Sequence, residues 1–420
     1  MRYRRLSVLA VLLVAGSFCR AEAKILARWV ELGPDGTSSV RAIVDDACPA
    51  VTFDGVATPM AIRAAPDTAF ANVKPWKFPV TSCEAAIPVQ AKGAQLEGAR
   101  LPLPRATPQR IVIFGDTGCR LEEGVPLQRC NDPKAWPFPQ IVKAAAAKHP
   151  DLVIHVGDYE YRESPCPSGN SGCNGSPFGY GWDAWNADFF APAAPLFAAA
   201  PWVMARGNHE DCARAAEGWL RFLDRTPMAT ACQDLSGIFV AQLGKMGFLV
   251  VDSGAAGNPK TGADEMIARL RAQLQEVAAK VPGETWLVTH RPPDALQPGR
   301  AGAPNYADST VQEKAFAAAI PAGVRMYVSG HIHFFQADSF GGTYPAQLVV
   351  GTGGDDLADP IKTSLIGADV NGHKITAAAA YTGFAYIVWD RHGADWSASL
   401  YDVGDKVIER CRLSGRSLTC

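Results

Sequence analysis

Five short apolar runs between residues 110 and 333 each stop abruptly at a turn bearing an aspartate, an asparagine or a histidine. Ile111-Val112-Ile113-Phe114 leads into Gly115-Asp116-Thr117-Gly118. Leu152-Val153-Ile154-His155-Val156 leads into Gly157-Asp158-Tyr159-Glu160-Tyr161. Trp202-Val203-Met204-Ala205 precedes Gly207-Asn208-His209-Glu210, and Trp286-Leu287-Val288-Thr289 precedes His290. Arg325-Met326-Tyr327-Val328 precedes Ser329-Gly330-His331-Ile332-His333. Apolar runs of this length, bounded by turn residues, read as buried strands. In open α/β sheets the groups at the carboxyl ends of strands face a crevice rather than the core. The five turns are therefore expected to deliver their side chains to one place.

The chain has 420 residues, enough for a large core and for more than one domain. Its formal net charge is -2 and its pI about 6.5. That gives no basic surface for nucleic acid and no acidic tail. Charged residues make up 20% and hydrophobic residues 48%, as in a folded soluble protein.

Residues 1–23 read as a signal peptide. Arg2, Arg4 and Arg5 form a basic start, Leu6 to Ser17 an apolar stretch, and Ala21-Glu22-Ala23 a small-x-small cleavage site before Lys24. The apolar stretch is too short to span a bilayer comfortably. Phe18 stands before Cys19, where a lipoprotein would need a small residue. The expectation is a secreted or periplasmic protein whose mature chain has no transmembrane segment, with a membrane anchor as the minor alternative. Of the 11 cysteines, Cys19 leaves with the leader. The even remainder argues for disulfides in an exported chain. Pairing in sequential order, 48–83, 119–130, 166–173, 212–232 and 411–420, would close short loops.

Residues 24–104 carry short alternating runs broken by Gly33-Pro34-Asp35-Gly36 and Asp54-Gly55, which read as hairpins. They are expected to form a small β-sandwich-like domain, followed by a stiff Pro-rich linker at Leu101-Pro102-Leu103-Pro104. Residues 105–420 form the main domain. Helices are expected over Pro139–Lys148, Ala263–Lys280 and Val311–Ala319. In the second of these Ile267, Leu270, Leu274 and Val277 recur at helical spacing. Further strands follow in the tail. The long Ser/Pro/Gly-rich loop from Arg162 to Gly181, pinned by Cys166 and Cys173, is a candidate substrate wall.

The five turns present Asp116, Asp158 with Tyr161, Asn208, His290, and the pair His331 and His333. Oxygen and imidazole donors without a thiolate suit iron, zinc or manganese rather than a structural zinc site. The set is too large for one ion and sensible for two, with one carboxylate shared. Two cations about 3.5–4 Å apart clamp the attacking and leaving oxygens of an in-line displacement. His331 and His333 lie two apart, so a continuing strand would place both on one face.

The five blocks, in this order and each after an apolar strand, resemble those of the calcineurin-like metallophosphoesterases. The tyrosine closing the second block, with no histidine two residues after Asp116, is similar to the purple acid phosphatase branch. The resemblance covers about residues 110 to 355. It implies an α/β (α+β) fold of two mixed β-sheets sandwiched by helices, here preceded by the small all-β domain. It implies that Asp116, Tyr161 and His333 hold ferric iron, that Asp158 bridges, and that Asn208, His290 and His331 hold a second ion, Fe(2+), Zn(2+) or Mn(2+). His209 would contact phosphate and protonate the leaving alkoxide. The implied activity is hydrolysis of phosphate monoesters by attack of metal-bound hydroxide on a small phosphorylated substrate, as in acid phosphatases.

A phosphodiesterase or nucleotidase on the same centre is one alternative. A non-catalytic secreted binding module is a remote one, since no expected ligand is missing. Arg291-Pro292-Pro293 is a local departure expected to shape the rim. Arg206 and Arg291 adjoin the blocks, but no pattern assigns them to phosphate. His155 is expected in the core or behind the ligands, and Glu210 either orients a neighbour or lies exposed. The sequence carries no signal for oligomeric state.

Overall fold

The computed structural model describes residues 23–225, 230–257, 259, 261–299, 304–306 and 309–420. The leader expected over residues 1–23 lies outside these, apart from Ala23.

Two mixed sheets stack face to face. In the first, the parallel strands Arg110–Phe114, Leu152–His155 and Trp202–Met204 lie side by side. In the second, Met246–Val250, Glu284–Val288, Val324–Ser329 and Ala346–Val350 run parallel in that order. Period-two alternation sorts the strand residues between layers. Ile111, Ile113, Leu152 and Ile154 enter the core between the sheets, where they meet Phe248, Trp286, Val328 and Leu348. Val112, Phe114 and Val153 face the opposite way, toward the helices Phe138–Ala147, Ala191–Phe197 and Ala216–Phe222. On the outer face of the second sheet lie Ala263–Val277 and Thr310–Ala319. In the former, Ile267, Leu270 and Leu274 are buried as their spacing predicts, and Asp264 and Glu265 sit in the first turn, where the helix dipole favours acids. The order helix–sheet–sheet–helix matches the expected fold. The tail Ala385–His392, Asp395–Asp402, Val407–Ser414 and Ser417–Thr419 extends the first sheet beyond Arg110–Phe114 as an antiparallel meander.

Apart from one 3-10 turn at Pro34–Gly36, the regular structure of residues 24–104 is β, in two layers. One layer is the four-stranded sheet Val56–Pro59, Ala50–Phe53, Ala94–Leu96 and Ala99–Leu101. The other is Ile25–Leu32, Ser38–Val44, Thr81–Ala86 and Ala61–Ala64, and this layer continues the first main sheet. Ile25–Leu32 pairs in parallel with Trp202–Met204 through Glu31 and Trp202. The result is one sheet of eleven strands. All five disulfides join sequential cysteines, as expected.

A buried ionic cluster ties these N-terminal strands to the helix Ala216–Phe222. Glu84 accepts hydrogen bonds from Arg63 Nη1 at 3.3 Å and Arg225 Nη1 at 2.8 Å, and forms an ion pair with Arg41, whose Nε lies 3.3 Å away. Arg41 also donates to the carbonyls of Phe222 and Asp224. Burial alone would raise the Glu84 carboxyl, but the three guanidinium groups outweigh it and hold it at about 2. A depressed carboxylate stabilises the fold above its unfolded pKa and loses that contribution as pH falls toward the folded value. Glu84→Gln is therefore expected to cost up to about 3 kcal/mol at pH 7. The difference between variant and parent should vanish between about pH 5 and 2. Urea melts across that range would check it, and a gap that persists at pH 2 would contradict it.

Candidate metal centre

The carboxyl ends of the parallel strands of both sheets meet at one edge of the sandwich. There the chain leaves each strand through an unusual backbone. Asp116, Asp158 and His331 all hold positive φ, at 57°, 59° and 69°. Non-glycine residues in this region are uncommon and cluster at functional sites. The turns also lie against one another, since Asp116 N–H donates to Gly157 O and Thr117 N–H to Asp158 O, both at 3.0 Å. Two glycines make this approach possible. A Cβ at Gly207 would lie 2.0 Å from Asp158 Oδ1, and one at Gly330 would lie 2.2 Å from Asp116 Oδ2.

Two donor groups result, and they share Asp158. Asp116, Asp158 and His333 form one, and Asp158, His290 and His331 the other, with the ligand atoms of each within 4.8 Å of one another. Tyr161 belongs to the first. Its hydroxyl donates to Asp158 Oδ2 at 2.7 Å and lies 3.2 Å from His333 Nε2. Asn208 belongs to the second, with Oδ1 2.9 Å from His290 Nε2. Every residue expected at the site from sequence is brought to it.

One expectation fails in its reasoning. The strand Val324–Ser329 does not continue to His333. The left-handed backbone at His331 breaks it, and Ile332 N–H turns back to Gly330 O. The two histidines consequently serve different donor groups rather than a common face.

The donor set fits cations. His290 Nδ1–H donates to Val156 O at 2.9 Å, so its Nε2 holds the lone pair of the neutral ring. That nitrogen, Asp158 Oδ2 at 3.1 Å and Asn208 Oδ1 converge. Three acceptors aimed at one point call for a proton or a metal ion. Burial lowers the His290 pKa, but Asp158 and Asp116 overcome this and raise it. In the first group His333 Nδ1–H donates to Asp356 O at 2.6 Å, which leaves the Nε2 lone pair facing Asp116 Oδ1 at 3.4 Å, two acceptors that an ion between them would satisfy. Carbonyl-held imidazoles of this kind are oriented ligands. Burial, with Asp158 and Asp116 alongside, holds the Tyr161 phenol well above 10. Only a strongly Lewis-acidic ion would displace its proton at neutral pH.

Of the supporting residues, His155 lies behind the ligands and Glu210 orients its neighbours, each as one of the expected alternatives. Asp188 and Asp355 escaped the sequence reading because their partners are remote. Glu210 is fully buried, and its carboxylate accepts N–H groups from Asp158, Tyr159, Glu160 and Gly207 at 2.8–3.3 Å. It binds two of the turns together. Asp188 accepts Cys119 N–H at 3.1 Å and Tyr161 N–H at 2.8 Å, and pairs with Arg162. Asp355 pairs with Arg120 beside His333. His155 lies under the second turn. Its Nδ1 accepts Gly157 N–H at 3.2 Å, and its Nε2 donates to Thr117 Oγ1 at 3.0 Å. Arg206 is buried against Asp252, Gln233 O and Glu210 O, so it shapes loops rather than meeting a ligand. Trp182 and Trp185 pack in the helix-side core.

His209 stands at the mouth, with Nε2 4.0 Å from Asp158 Oδ2. Its Nδ1 lies 2.6 Å from Glu163 Oε1 and 3.1 Å from Arg214 Nη1. The shorter contact is to a carboxylate, which only accepts, so the proton sits on Nδ1, Arg214 turns to Glu163, and Nε2 is the nitrogen left for a ligand. Tyr180 O–H also donates to Glu163, at 2.7 Å, and Arg214 lies 3.3 Å from it. Burial would raise the Glu163 carboxyl. The His209 and Tyr180 hydrogen bonds, with the charges of His209 and Arg214, hold it at about 2 instead.

The centre opens into a cleft of about 500 Å³. Arg120, Asp158, Asn208, His209, His331 and His333 line it, and the segments 297–299 and 356–359 complete its walls. Among the described residues none from the expected wall, Arg162–Gly181, lines this cleft. That loop instead packs by Tyr180 and Gly179 against Trp76, and reaches the site through Glu163, which holds His209, and through Arg162, which pairs with Asp188.

Residues 109–335, more than half of the chain, match the family described as calcineurin-like phosphoesterase. No curated protein matches the sequence. Among solved structures, a purple acid phosphatase from yellow lupin (Lupinus luteus) seeds superposes with a TM-score of 0.57 at 16% identity. The match covers 92% of this chain and 74% of the lupin chain. The structure of PhoD gives 0.52 at 13% identity, over 94% and 91% of the two chains. At these identities the likeness is one of fold.

Proposed function

This chain belongs to the calcineurin-like phosphoesterase family, and from that membership we propose that it is an exported phosphatase of the acid phosphatase type, acting on small phosphate monoesters at a centre of two metal ions. The observation that carries the proposal is the pair of donor groups sharing Asp158, with His209 beside them at the cleft. Asp116, Asp158, Tyr161 and His333 would hold one ion, ferric iron. Asp158, Asn208, His290 and His331 would hold the other, Fe(2+), Zn(2+) or Mn(2+). Bound there, two cations neutralise phosphate charge and lower the pKa of water toward neutrality. The chain itself supplies the proton for the leaving group. Glu163 orients His209 through Nδ1, and Nε2 faces the cleft as general acid. Arg120, partly exposed in the same cleft, adds positive charge for phosphate.

The five disulfides support export. Among the described residues no helix is long and apolar enough to cross a membrane. Residues 105–420 would be the catalytic domain and residues 24–104 an accessory one built onto its sheet.

The test pairs an assay with a spectrum. The purified mature protein is expected to hydrolyse p-nitrophenyl phosphate faster than bis-p-nitrophenyl phosphate. It should show a broad visible absorption band that Tyr161→Phe removes. Faster diester cleavage by a colourless zinc or manganese protein would move the assignment to a phosphodiesterase or nucleotidase. Inactivity of fully metal-loaded protein would favour a binding module.

A further inference from the structure

We propose that Arg291 competes with a metal ion for His331 and so weakens the hold of the second donor group on its ion. The proposal rests on the two-ion reading above. A neutral imidazole has one lone pair to offer. At His290 and His333 the carbonyls of Val156 and Asp356 accept the Nδ1 proton, and Nε2 is left for an ion. His331 differs. Arg291 Nη1 lies 2.8 Å from its Nε2. A guanidinium only donates, so Nε2 must accept and the ring proton must sit on Nδ1.

That contact and ligation exclude one another at either nitrogen. An ion at Nε2 needs the lone pair that Arg291 engages. An ion at Nδ1 would push the proton to Nε2, where a guanidinium cannot receive it. Loading the second group therefore requires the Arg291 side chain to swing away. Its permanent positive charge also opposes an incoming cation. The backbone beneath is fixed. Arg291 N–H donates to Ser253 Oγ at 2.8 Å, and the same oxygen receives His290 N–H at 3.2 Å and Thr289 O–H at 2.8 Å. Arg291 Nε donates to Gly254 O at 3.3 Å. Motion is thus confined to the side chain, and His290 need not move with it.

The experiment strips the full mature chain with chelator and titrates it with Zn2+ by calorimetry, with elemental analysis of the loaded protein. The wild type should bind two ions with unequal affinities. Arg291→Met, similar in length and without a donor, should tighten the weaker site at least tenfold while changing the tighter one less than twofold. An unchanged or weakened second site in Arg291→Met would overturn the proposal. If that variant fails to fold, nitrogen NMR of histidine in the stripped wild type decides. A proton on Nδ1 of His331 supports competition, and a proton on Nε2 overturns it. A wild type that takes up fewer than two ions and cleaves no phosphoester would instead refute the two-ion reading on which the proposal stands.

Discussion

Asp158→Asn is expected to leave the fold intact and abolish both metal retention and turnover. Asparagine keeps the size of the side chain and an oxygen for His209 N–H, which Asp158 Oδ1 now accepts at 2.9 Å. It removes the one negative charge common to both donor groups. Charge stabilisation by bound metals is worth several kcal/mol, and about 1.36 kcal/mol is tenfold in rate, so the loss should reach about 10³-fold or more. Metal content, melting temperature and turnover measured on one preparation would decide. Two retained ions with wild-type turnover would remove Asp158 from the centre of the mechanism.

His209→Ala should behave differently. His209 belongs to neither donor group, so both ions are expected to stay. A missing general acid costs about 10²–10⁴-fold. The cost should be greatest for alkyl phosphates, whose leaving groups need the proton, and small for p-nitrophenyl phosphate. Glu163→Gln should reproduce part of this pattern, because a glutamine can still accept the Nδ1 proton but carries no charge toward His209. Rates that fall equally for all leaving groups would assign His209 to phosphate binding alone.

The sequence made the ligands legible because each lies within a few residues of the strand that presents it. An apolar run and its following turn are local signals, and Asp116, Asp158, Tyr161, Asn208, His290, His331 and His333 all carry them. The amphipathic helix at Ala263–Val277 and the sequential disulfides were readable for the same reason. What escaped is long-range. Glu210 reaches back some fifty residues to the N–H groups of Asp158 and Tyr159, and Glu163 finds His209 from the opposite direction. A carboxylate's partner across that distance leaves no trace in spacing. Pairing of Ile25–Leu32 with Trp202–Met204 is similarly hidden, because parallel strands are joined by a long crossover and leave no hairpin turn to read. The inference that His331 and His333 share a face failed on a single backbone angle, which alternation of residue types does not encode.

The disulfides have a bearing on how the chain matures. Their partners are 35, 11, 7, 20 and 9 residues apart, and no bridge encloses or crosses another. A chain threaded through a membrane amino end first would present each cysteine's partner as the next one to emerge. Stepwise oxidation in order of arrival would then yield the native set, with no shuffling among wrong pairings. The first sheet has the opposite timetable. In such an exported chain the strand Ile25–Leu32 would have to wait until Trp202 arrives before the two could pair, and by then the bridges from Cys48 to Cys173 would be in place to limit the misfolded forms open to the waiting segment.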